Sequence, residues 1–572
     1  MIDPSRSFRT VIFYCFLNQH YPADYFTFRI YVRKGKLLIM VAPAAATCFR
    51  CVLCVCLARC VLAGLTRRIF PAAQVEVYNQ DSGFLGILDP KELSVVPIGP
   101  MSIDEVVGSA AERFQKSLWR FPDFLEDYHI NPSNLTLQSL KRIEIHVISP
   151  DTRLVHGVDE SYGLSIDKES TKILLRCKTV FGAVRGLETL SQLMEFGWMN
   201  ENDQPVYIIS MIPLFIADAP SYAYRGLMID TSRHYLPMEL ILDNLDAMAM
   251  NKLNILHWHL TDSQSFPYKS ESYPELAMKG AYHPKRIYTT TDIQKVIKEA
   301  YLRGIRVIPE VDMPGHTTSI GKSHPELMSH CPVPSEPLDP SNPSVYKFVE
   351  NVYTDLKNLF PDSFIHVGGD EVNFDCWKKS PNIRKWMYDK NMTDVVDAYE
   401  YFETHLLQIV VDKLEKSPIV WQEVFNLNLS LPENAIVDVW KGFDRDTVEK
   451  ATNASFQVIL SGCWYLDHLH DTWKTFYDCD PRDFNGTVDL MIGGHASMWG
   501  EMVDPSNFIS RVWPRASAVA ERLWTGDVSG DVKASIDERI HKFRCRMIQQ
   551  GFAASPTRPG CCPSEAPYRA VY

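Results

Sequence analysis

The chain has 572 residues, of which 46% are hydrophobic, 22% charged and 11% aromatic. This length exceeds that of one small module, and the composition is unlike that of disordered chains, collagens or coiled coils. The 58 basic and 70 acidic residues give a net charge of −12, which disfavours a nucleic-acid partner and general adhesion to anionic membranes.

Residues 1–70 are predicted to form an N-terminal extension. The segment 37–65 is mostly apolar, but two arginines interrupt it, and its longest apolar run is shorter than the roughly 20 residues that cross a bilayer. We interpret it as a signal peptide, with a start at Met40 and an extension before it. The alternative is a retained type II anchor, and only in that case is a membrane a partner.

Cysteines and sequons indicate the secretory pathway. Eight of the 14 cysteines are scattered from Cys177 to Cys562, which suits structural disulfides formed in an oxidising compartment. Glycosylation sequons matter only after secretory entry, and they occur at Asn134, Asn391, Asn428, Asn453 and Asn485.

Residues 75–215 are predicted to form a small α+β domain. Alternating apolar residues predict half-buried antiparallel strands from Arg142 onward and on either side of a turn at Lys168. Apolar residues at helical spacing from Val180 to Met194 predict an amphipathic helix that covers one face of the sheet. No catalytic constellation is evident in this domain.

Residues 220–572 are predicted to form a (β/α)8 TIM barrel, so the fold class is α/β with a preceding α+β domain. Helical stretches separate most of the short, apolar, β-branched runs, as in such a barrel. The eight runs begin at Arg225, Asn254, Gly304, Phe364, Pro418, Ala435, Gln457 and Gly493. Only about ten residues separate the fifth run from the sixth, so we expect an irregular loop there.

The runs finish with residues that are costly to bury, which predicts a pocket at the C-terminal mouth of the barrel, where such barrels carry their sites. These residues are Arg233, Asp262, His316, Asp370, Glu371, Glu423, Trp440, Tyr465, Asp467, Trp499 and Glu501.

The pair Asp370 and Glu371 follows a Gly-Gly dipeptide. Neighbours on a regular strand point to opposite faces, so both side chains reach the mouth only if the strand ends there. The glycines permit close approach of backbone or ligand. We expect one carboxyl to be a general acid, with a pKa raised by its neighbour and by burial, and the other to be ionised. An ordinary surface acidic pair is the alternative.

Tryptophans at the strand ends favour a carbohydrate pocket. Trp421, Trp440, Trp464 and Trp499 each close a barrel strand. Indole rings stack on the apolar faces of sugars. Core packing is the alternative for each one, but four at the same end favour sugar binding.

A metal-dependent hydrolase is a competing interpretation. His257 and His259 lie on one face of a predicted strand, and Asp262 and His316 follow. Histidine is the commonest metal ligand, but an HxH motif alone is weak. We favour histidines that are hydrogen-bonded to carboxylates. The chain has no phosphate loop, GxSxG elbow or Rossmann fingerprint between a strand and a helix, which disfavours nucleotide enzymes and serine hydrolases.

Long motifs in the barrel carry a family resemblance. They are RGLMIDTSRHY (225–235), NKLNILHWHLTDSQSFP (251–267), PGH (314–316), HVGGDEVNFDCW (366–377), VWQEV (420–424), WYLD (464–467), MWGE (498–501) and RVWPRASAVAERLW (511–524). Together they resemble eukaryotic β-N-acetylhexosaminidases of glycoside hydrolase family 20. The resemblance extends from about residue 140 to 562 and does not include the first 70 residues.

The resemblance implies an exo-glycosidase that releases terminal β-linked GlcNAc or GalNAc from glycoconjugates or chito-oligosaccharides, with no cofactor or metal. The implied mechanism is retaining and substrate-assisted: the 2-acetamido carbonyl is the nucleophile and an oxazolinium-type intermediate forms. By position, Glu371 matches the general acid and base, Asp370 the group that holds the acetamido N–H, and Tyr465 the donor to its carbonyl. The other matches are Trp421, Trp440 and Trp499 as pocket walls, Arg233, Asp467 and Glu501 as ligands of the sugar hydroxyls, and Asp262 and His316 as a network near the acid.

The resemblance also implies a lysosomal or secreted homodimer with disulfides Cys331–Cys376 and Cys545–Cys561, or Cys545–Cys562 in place of the latter. Cys463 and Cys479 remain an open local pair. In α-type subunits Asn and Arg follow the WYL motif and favour anionic substrates, whereas β-type subunits have Asp and Leu. Here Asp467 is followed by His468, which implies a preference for neutral sugars. A sugar-binding relative without turnover is the remaining alternative.

Overall fold

The computed structural model describes residues 9–15, 26–33, 36–40, 68–78, 84–99, 104–118, 129–130, 136–199, 204–210, 212–331, 336–560 and 562. The chain forms two units, Met1–Thr66 and Arg67–Tyr572. The first contains an antiparallel sheet of β1 (Arg9–Cys15), β2 (Phe26–Arg33) and β3 (Lys36–Met40). The remainder of the predicted leader lies outside the described residues. Among the helices that are described, none combines the length and apolar character needed to cross a membrane.

Two sheets build the small domain that precedes the barrel. A six-stranded sheet has the order β4-β14-β10-β11-β9-β6, and a five-stranded sheet has the order β7-β12-β13-β5-β8. The strands are β4 (Val75–Tyr78), β5 (Phe84–Leu88), β6 (Ser94–Ile98), β7 (His129–Ile130), β8 (Thr136–Ser139), β9 (Arg142–Val147), β10 (Tyr162–Ile166), β11 (Lys172–Cys177), β12 (Glu195–Met199), β13 (Gln204–Ser210) and β14 (Leu214–Asp218).

The predicted hairpin and helix of this domain are present, but the sheet is mixed. Strands β10 and β11 pair antiparallel, whereas β9 pairs parallel with β11 and with β6. The connection from β9 to β10 skips one position in the sheet, and β11, the second strand of the β10–β11 hairpin, fills that position beside β9. The helices are α1 (Glu105–Ser117) and α2 (Val180–Leu193), and the Thr179 side chain caps α2 by accepting from two backbone N–H groups.

The barrel is closed by eight parallel strands, one for each predicted run. They are β15 (Tyr224–Asp230), β16 (Ile255–Thr261), β17 (Arg306–Val311), β18 (Phe364–Gly368), β19 (Ser417–Trp421), β20 (Ile436–Val439), β21 (Gln457–Leu460) and β22 (Met491–Met498).

Helices surround the barrel, and a one-turn helix, α11, occupies the link where an irregular loop was expected. The helices are α3 (Met238–Met250), α4 (Glu275–Gly280), α5 (Thr290–Tyr301), α6 (Thr318–Gly321), α7 (Pro343–Leu359), α8 (Phe374–Lys379), α9 (Pro381–Asp389), α10 (Val395–Gln408), α11 (Gln422–Asn426), α12 (Arg445–Asn453), α13 (Trp473–Asp478), α14 (Phe508–Val512), α15 (Arg515–Thr525) and α16 (Asp531–Gln549).

The interior of the barrel is layered, and the layers decide where the site lies. Each strand contributes one buried residue to an apolar bottom layer: Tyr224, Ile255, Ile308, Phe364, Ile419, Ile436, Ile459 and Ile492. Because side chains alternate along a strand, the residue two positions further on also points inward. On five strands these residues are His257, Glu310, His366, Trp421 and Asp438. A buried polar layer therefore lies between the apolar bottom and the C-terminal mouth.

Buried ion pairs join the small domain to the barrel. Glu160 accepts from Arg185 at 2.9 Å and from Arg225, at the start of β15, at 2.6 Å. Asp218, at the end of β14, pairs with Lys252 at 2.9 Å. All of these side chains are buried, so breaking one partner would leave an uncompensated charge in the interface.

Three disulfides lie in the described part of the barrel unit: Cys331–Cys376, Cys463–Cys479 and Cys545–Cys562. The resemblance left Cys561 and Cys562 open as partners of Cys545; the structure pairs Cys545 with Cys562, and their Cα atoms lie 5.3 Å apart, within the normal span of a disulfide. Cys177 is free, and burial raises its pKa to about 12.

Candidate active site

A tight turn at the end of β18 delivers the two acidic residues. Gly368 and Gly369 have φ of +76° and +100°, and Glu371 has φ of +48°. A Cβ at Gly368 would overlap the Asp312 carboxylate, and the Gly369 N–H donates to that carboxylate at 2.8 Å. The glycines therefore allow the close approach predicted from the sequence, and the strand ends where both carboxyls can face the mouth.

The two carboxyls lie in different environments. Asp370 is 7% exposed, and burial raises its pKa. Burial and the negative charge of Asp370 together raise the pKa of the adjacent Asp312 well above its usual value, so that Asp312 holds a proton beside Asp370. The Glu371 side chain is 58% exposed. A raised pKa is thus found at the buried Asp370 and at Asp312 behind it.

His316, in the loop after β17, links Asp370 and Glu371 to Asp262, which follows β16. Its Nδ1 lies 3.1 Å from Asp262, and its Nε2 lies 3.8 Å from Asp370 and 3.7 Å from Glu371. Burial opposes a charge on the ring, but the negative charge of Asp370 and the hydrogen bond to Asp262 outweigh burial and raise the pKa of His316 to about 10. The ring is therefore an imidazolium at neutral pH.

Arg233 contacts three carboxylates of the pocket, including the Asp262 that also contacts His316. Its guanidinium lies 3.0 Å from Asp230, 2.8 Å from Asp262 and 3.8 Å from Glu501. The same guanidinium lies over the Trp499 ring, 4.9 Å from its centroid. Three predicted site residues and one that was not predicted, Asp230, thus form one charged cluster.

Aromatic rings line the cavity between these charged groups. Trp440 and Tyr465 stack with centroids 6.1 Å apart and planes 17° apart, and Trp499 lies 6.3 Å from Tyr465. Trp421 is only 1% exposed and donates to Glu310 at 3.0 Å, so it forms the floor under the cavity. Trp464 belongs to the core, where it donates to a backbone carbonyl. Only three of the four tryptophans therefore contribute to the cavity.

Tyr465 and Asp467 lie on one loop after β21. Burial raises the pKa of Tyr465 well above its usual value, so its hydroxyl is a donor at physiological pH. Burial also raises the pKa of Asp467, and its Oδ1 is buried with no hydrogen-bond partner among the described residues. Arg515, at the start of α15, holds this loop by donating to the carbonyls of Leu466 and, at 3.1 Å, of His468.

The buried polar layer supports the site from below. Glu310 accepts from His257 at 2.8 Å and from His259 at 2.7 Å, and it lies 3.2 Å from His366. Burial disfavours charge here, but the imidazoles keep the pKa of Glu310 well below its usual range, and Glu310 and Asp438 raise that of His366 to about 9. The preferred interpretation of the HxH motif, histidines bonded to carboxylates, agrees with this geometry.

The sequence analysis did not single out Glu310, Asp312 or Asp438. In each case an acidic residue lies within or directly after an apolar, β-branched run. Burial of such a residue is favourable only when a partner charge is buried beside it.

Some residues have the spacing of metal ligands. Three such sets lie in the barrel among the described residues: His257, Asp438 and His495; His257, Glu310 and His366; and Asp312, His316 and Asp370. Burial lowers the pKa of His257 to about 3, so this ring is neutral and able to act as a ligand. The other members already contact one another as imidazole and carboxyl groups; His495, for example, lies 2.7 Å from Asp438. Sensitivity to a chelator decides whether an ion is needed.

The matches to known proteins cover both parts of the second unit. Residues 222–527 match the model of the glycosyl hydrolase family 20 catalytic domain, and residues 69–193 match that of a β-acetyl hexosaminidase-like domain. The human β-hexosaminidase subunit β is 43% identical over 422 residues, which is 71% of this chain and 74% of the relative. The mouse subunit α is 39% identical over 470 residues, 79% of this chain and 86% of the relative. The solved structure of a Flavobacterium johnsoniae chitobiase is 29% identical with a TM-score of 0.72, covering 85% of this chain and 73% of that one.

Proposed function

This chain belongs to glycosyl hydrolase family 20 and is an exo-acting β-N-acetylhexosaminidase; we propose that Glu371, Asp370 and Tyr465 perform its chemistry. The observation that supports the proposal most strongly is the turn after β18. It presents one buried carboxyl toward an aromatic cavity and one exposed carboxyl toward the mouth. Such a division suits a sugar ring held inside and a leaving group held outside.

Glu371 is the general acid and base of this proposal. It protonates the glycosidic oxygen as the bond to the anomeric carbon breaks, and afterwards it takes a proton from the water that opens the intermediate. His316, at 3.7 Å, stabilises the negative charge that Glu371 acquires when it gives up its proton. Asp262 holds the His316 ring in place at 3.1 Å.

Asp370 and Tyr465 orient the internal nucleophile. Asp370 accepts from the acetamido N–H and stabilises its developing positive charge, and the Tyr465 hydroxyl donates to the acetamido carbonyl, which attacks the anomeric carbon. Holding this group against the reacting carbon replaces a bimolecular step by an intramolecular one. Trp421, Trp440 and Trp499 enclose the acetamido methyl, which excludes water from the nucleophile.

The charged cluster on the other side binds the sugar hydroxyls. Arg233 lies 3.8 Å from Glu501, and the buried Oδ1 of Asp467 has no protein partner among the described residues. A sugar hydroxyl would satisfy that oxygen. The carboxylate of Asp467 would repel a sulfated or sialylated sugar, so the preferred substrates are neutral terminal GlcNAc and GalNAc.

The cellular setting and assembly are also proposals. Three disulfides and four exposed sequon asparagines support a lysosomal or secreted protein. These asparagines are Asn391, Asn428, Asn453 and Asn485. The relatives named above are subunits, which supports a homodimer, and mass measurement of the purified chain in solution tests that assembly.

Substrate discrimination tests the proposed function. Aryl β-GlcNAc and aryl β-GalNAc should be hydrolysed, whereas the aryl β-glucoside, which lacks the nucleophile and leaves Asp370 and Tyr465 without partners, should have a kcat/KM lower by roughly 10⁴-fold or more. Comparable turnover of the glucoside would contradict the substrate-assisted mechanism. Binding of GlcNAc without turnover would instead identify a sugar-binding relative.

A further inference from the structure

A carboxyl group is buried directly behind the catalytic turn. Glu403, on α10 (Val395–Gln408), is 1% exposed. In the described part of the chain, neither of its carboxyl oxygens accepts a hydrogen bond, and no positive charge offsets its burial. Buried carboxyls without a partner are rare in folded proteins, so this one needs an explanation.

Glu403 and Tyr399 lie against the backbone of the turn that carries Asp370 and Glu371. The two residues are one helical turn apart and share a face of α10. The Tyr399 hydroxyl donates to the carbonyl oxygen of Gly369, the residue before Asp370. A Cβ at Gly369 would lie 3.0 Å from the Tyr399 hydroxyl, 3.4 Å from Oε1 of Glu403 and 2.6 Å from Val424. Gly369 is thus enclosed by α10 on one side and by α11 on the other.

The surroundings favour the neutral acid form of Glu403. Burial raises its pKa well above the usual value, and the Tyr399 hydroxyl is the only group that opposes this shift. The other titratable groups that interact with Tyr399 are Asp312, Asp370 and Glu423, all acidic. Because the proton of Tyr399 is committed to Gly369, its oxygen can only accept from the direction of Glu403. A protonated carboxyl of Glu403 can donate to the Tyr399 oxygen. A carboxylate has no proton to donate, so its lone pairs would face those of the Tyr399 oxygen.

We propose that Glu403 and Tyr399 are a positioning pair that holds the turn from Gly369 to Glu371 in its catalytic geometry. Gly368, Gly369 and Glu371 all have positive φ, and a non-glycine residue in that region persists only where its surroundings hold it there. A shift of the turn would displace Asp370 and Glu371 together. This inference rests on the proposed function, because its consequence is measured as loss of turnover.

Three substitutions test the pair on aryl β-GlcNAc. Glu403→Gln keeps a neutral donor and should retain kcat within about threefold, whereas Glu403→Leu and Tyr399→Phe should lower kcat by roughly tenfold or more with little change in KM, since a misplaced catalytic group costs up to about 10²-fold. Tyr346→Phe is the matched control, because Tyr346 lies on another helix, α7, and its hydroxyl donates to the Pro340 carbonyl at 2.6 Å. It should retain full activity.

Thermal stability separates positioning from general packing. Replacing a buried carboxyl that accepts no hydrogen bond and has no cation beside it by leucine should leave the melting temperature equal or higher, so Glu403→Leu should be stable and slow. An infrared difference spectrum between wild type and Glu403→Gln at neutral pH should contain a protonated carboxyl band. Wild-type kcat in the Leu variant, or no such band, would overturn the positioning pair. An inactive wild type would instead overturn the proposed function, so the two failures are distinguishable.

Discussion

Nε2 of His316 lies 3.7 Å from Oε2 of Glu371. This contact places an imidazolium, formed because Asp370 and Asp262 outweigh burial, beside the one acidic side chain of the turn that faces solvent. The charge on the ring is thus fixed by the inner carboxyls, while its free edge faces the outer one. Several measurable consequences depend on this division between an inner and an outer carboxyl.

Tyr465→Phe should lower kcat on aryl β-GlcNAc by roughly 10² to 10³-fold, the range found when one donor to a developing charge is removed. KM should change less, because the ring still stacks on Trp440. The matched control is Tyr477→Phe, which removes a buried hydroxyl that donates to Glu521 at 3.2 Å, away from the pocket. Equal kcat in both variants would remove Tyr465 from the chemistry.

Asp467→Asn should shift specificity toward a 6-sulfated aryl GlcNAc. Removing a like charge near the sulfate should raise kcat/KM for this substrate, relative to the neutral one, by roughly fivefold or more, because a contact between like charges costs about 1 kcal/mol even with the screening of bulk water. Steady-state kinetics on the two substrates measure the ratio. An unchanged ratio would mean that Asp467 does not face the 6-position.

Arg515→Met should impair the loop that carries Tyr465 and Asp467. The guanidinium donates to carbonyls of this loop, so its loss should lower both the melting temperature and kcat, the latter by roughly tenfold or more. Arg511→Met is the control, since Arg511 lies on the preceding helix α14 and is exposed. If the two variants have the same kcat, Arg515 does not position the loop.

Alkaline pH should lower the free energy of unfolding, because three buried imidazolium groups then lose their protons. Buried carboxyls outweigh desolvation and raise the pKa of His259 and His316 to about 10 and that of His366 to about 9. The folded-state pKa values lie above the unfolded value of about 6.5, so this stabilisation is complete below pH 6.5 and is lost as the pH rises through 9 to 10. The melting temperature should therefore fall steadily over that interval. A constant melting temperature from pH 6.5 to 10 would show that these rings are neutral.

The sequence was most informative where local pattern and burial coincide. Eight apolar β-branched runs predicted eight barrel strands, and the Gly-Gly before Asp370 predicted the close approach that Gly368 makes to Asp312. Each of these features is encoded within a few consecutive residues. The expected site residues were also at strand ends, because the barrel topology brings all such ends to one mouth.

The features that the sequence did not reveal depend on partners far apart in the chain. Glu310 is acceptable inside β17 only because His257 and His366 arrive from two other strands. Trp464 ends a strand like its three counterparts, but α13 covers it, which no local pattern indicates. The parallel pairing of β9 with β11 likewise depends on a long connection.

The most direct test of the account compares wild type and Glu371→Gln on aryl β-GlcNAc, with and without EDTA. Turnover by the wild type should resist EDTA, and Glu371→Gln should abolish most of it. The loss of turnover should be smallest on substrates whose leaving groups need no proton. Turnover that EDTA abolishes would assign the chemistry to one of the histidine and carboxylate sets. Turnover that Glu371→Gln leaves unchanged would contradict the assignment of the general acid.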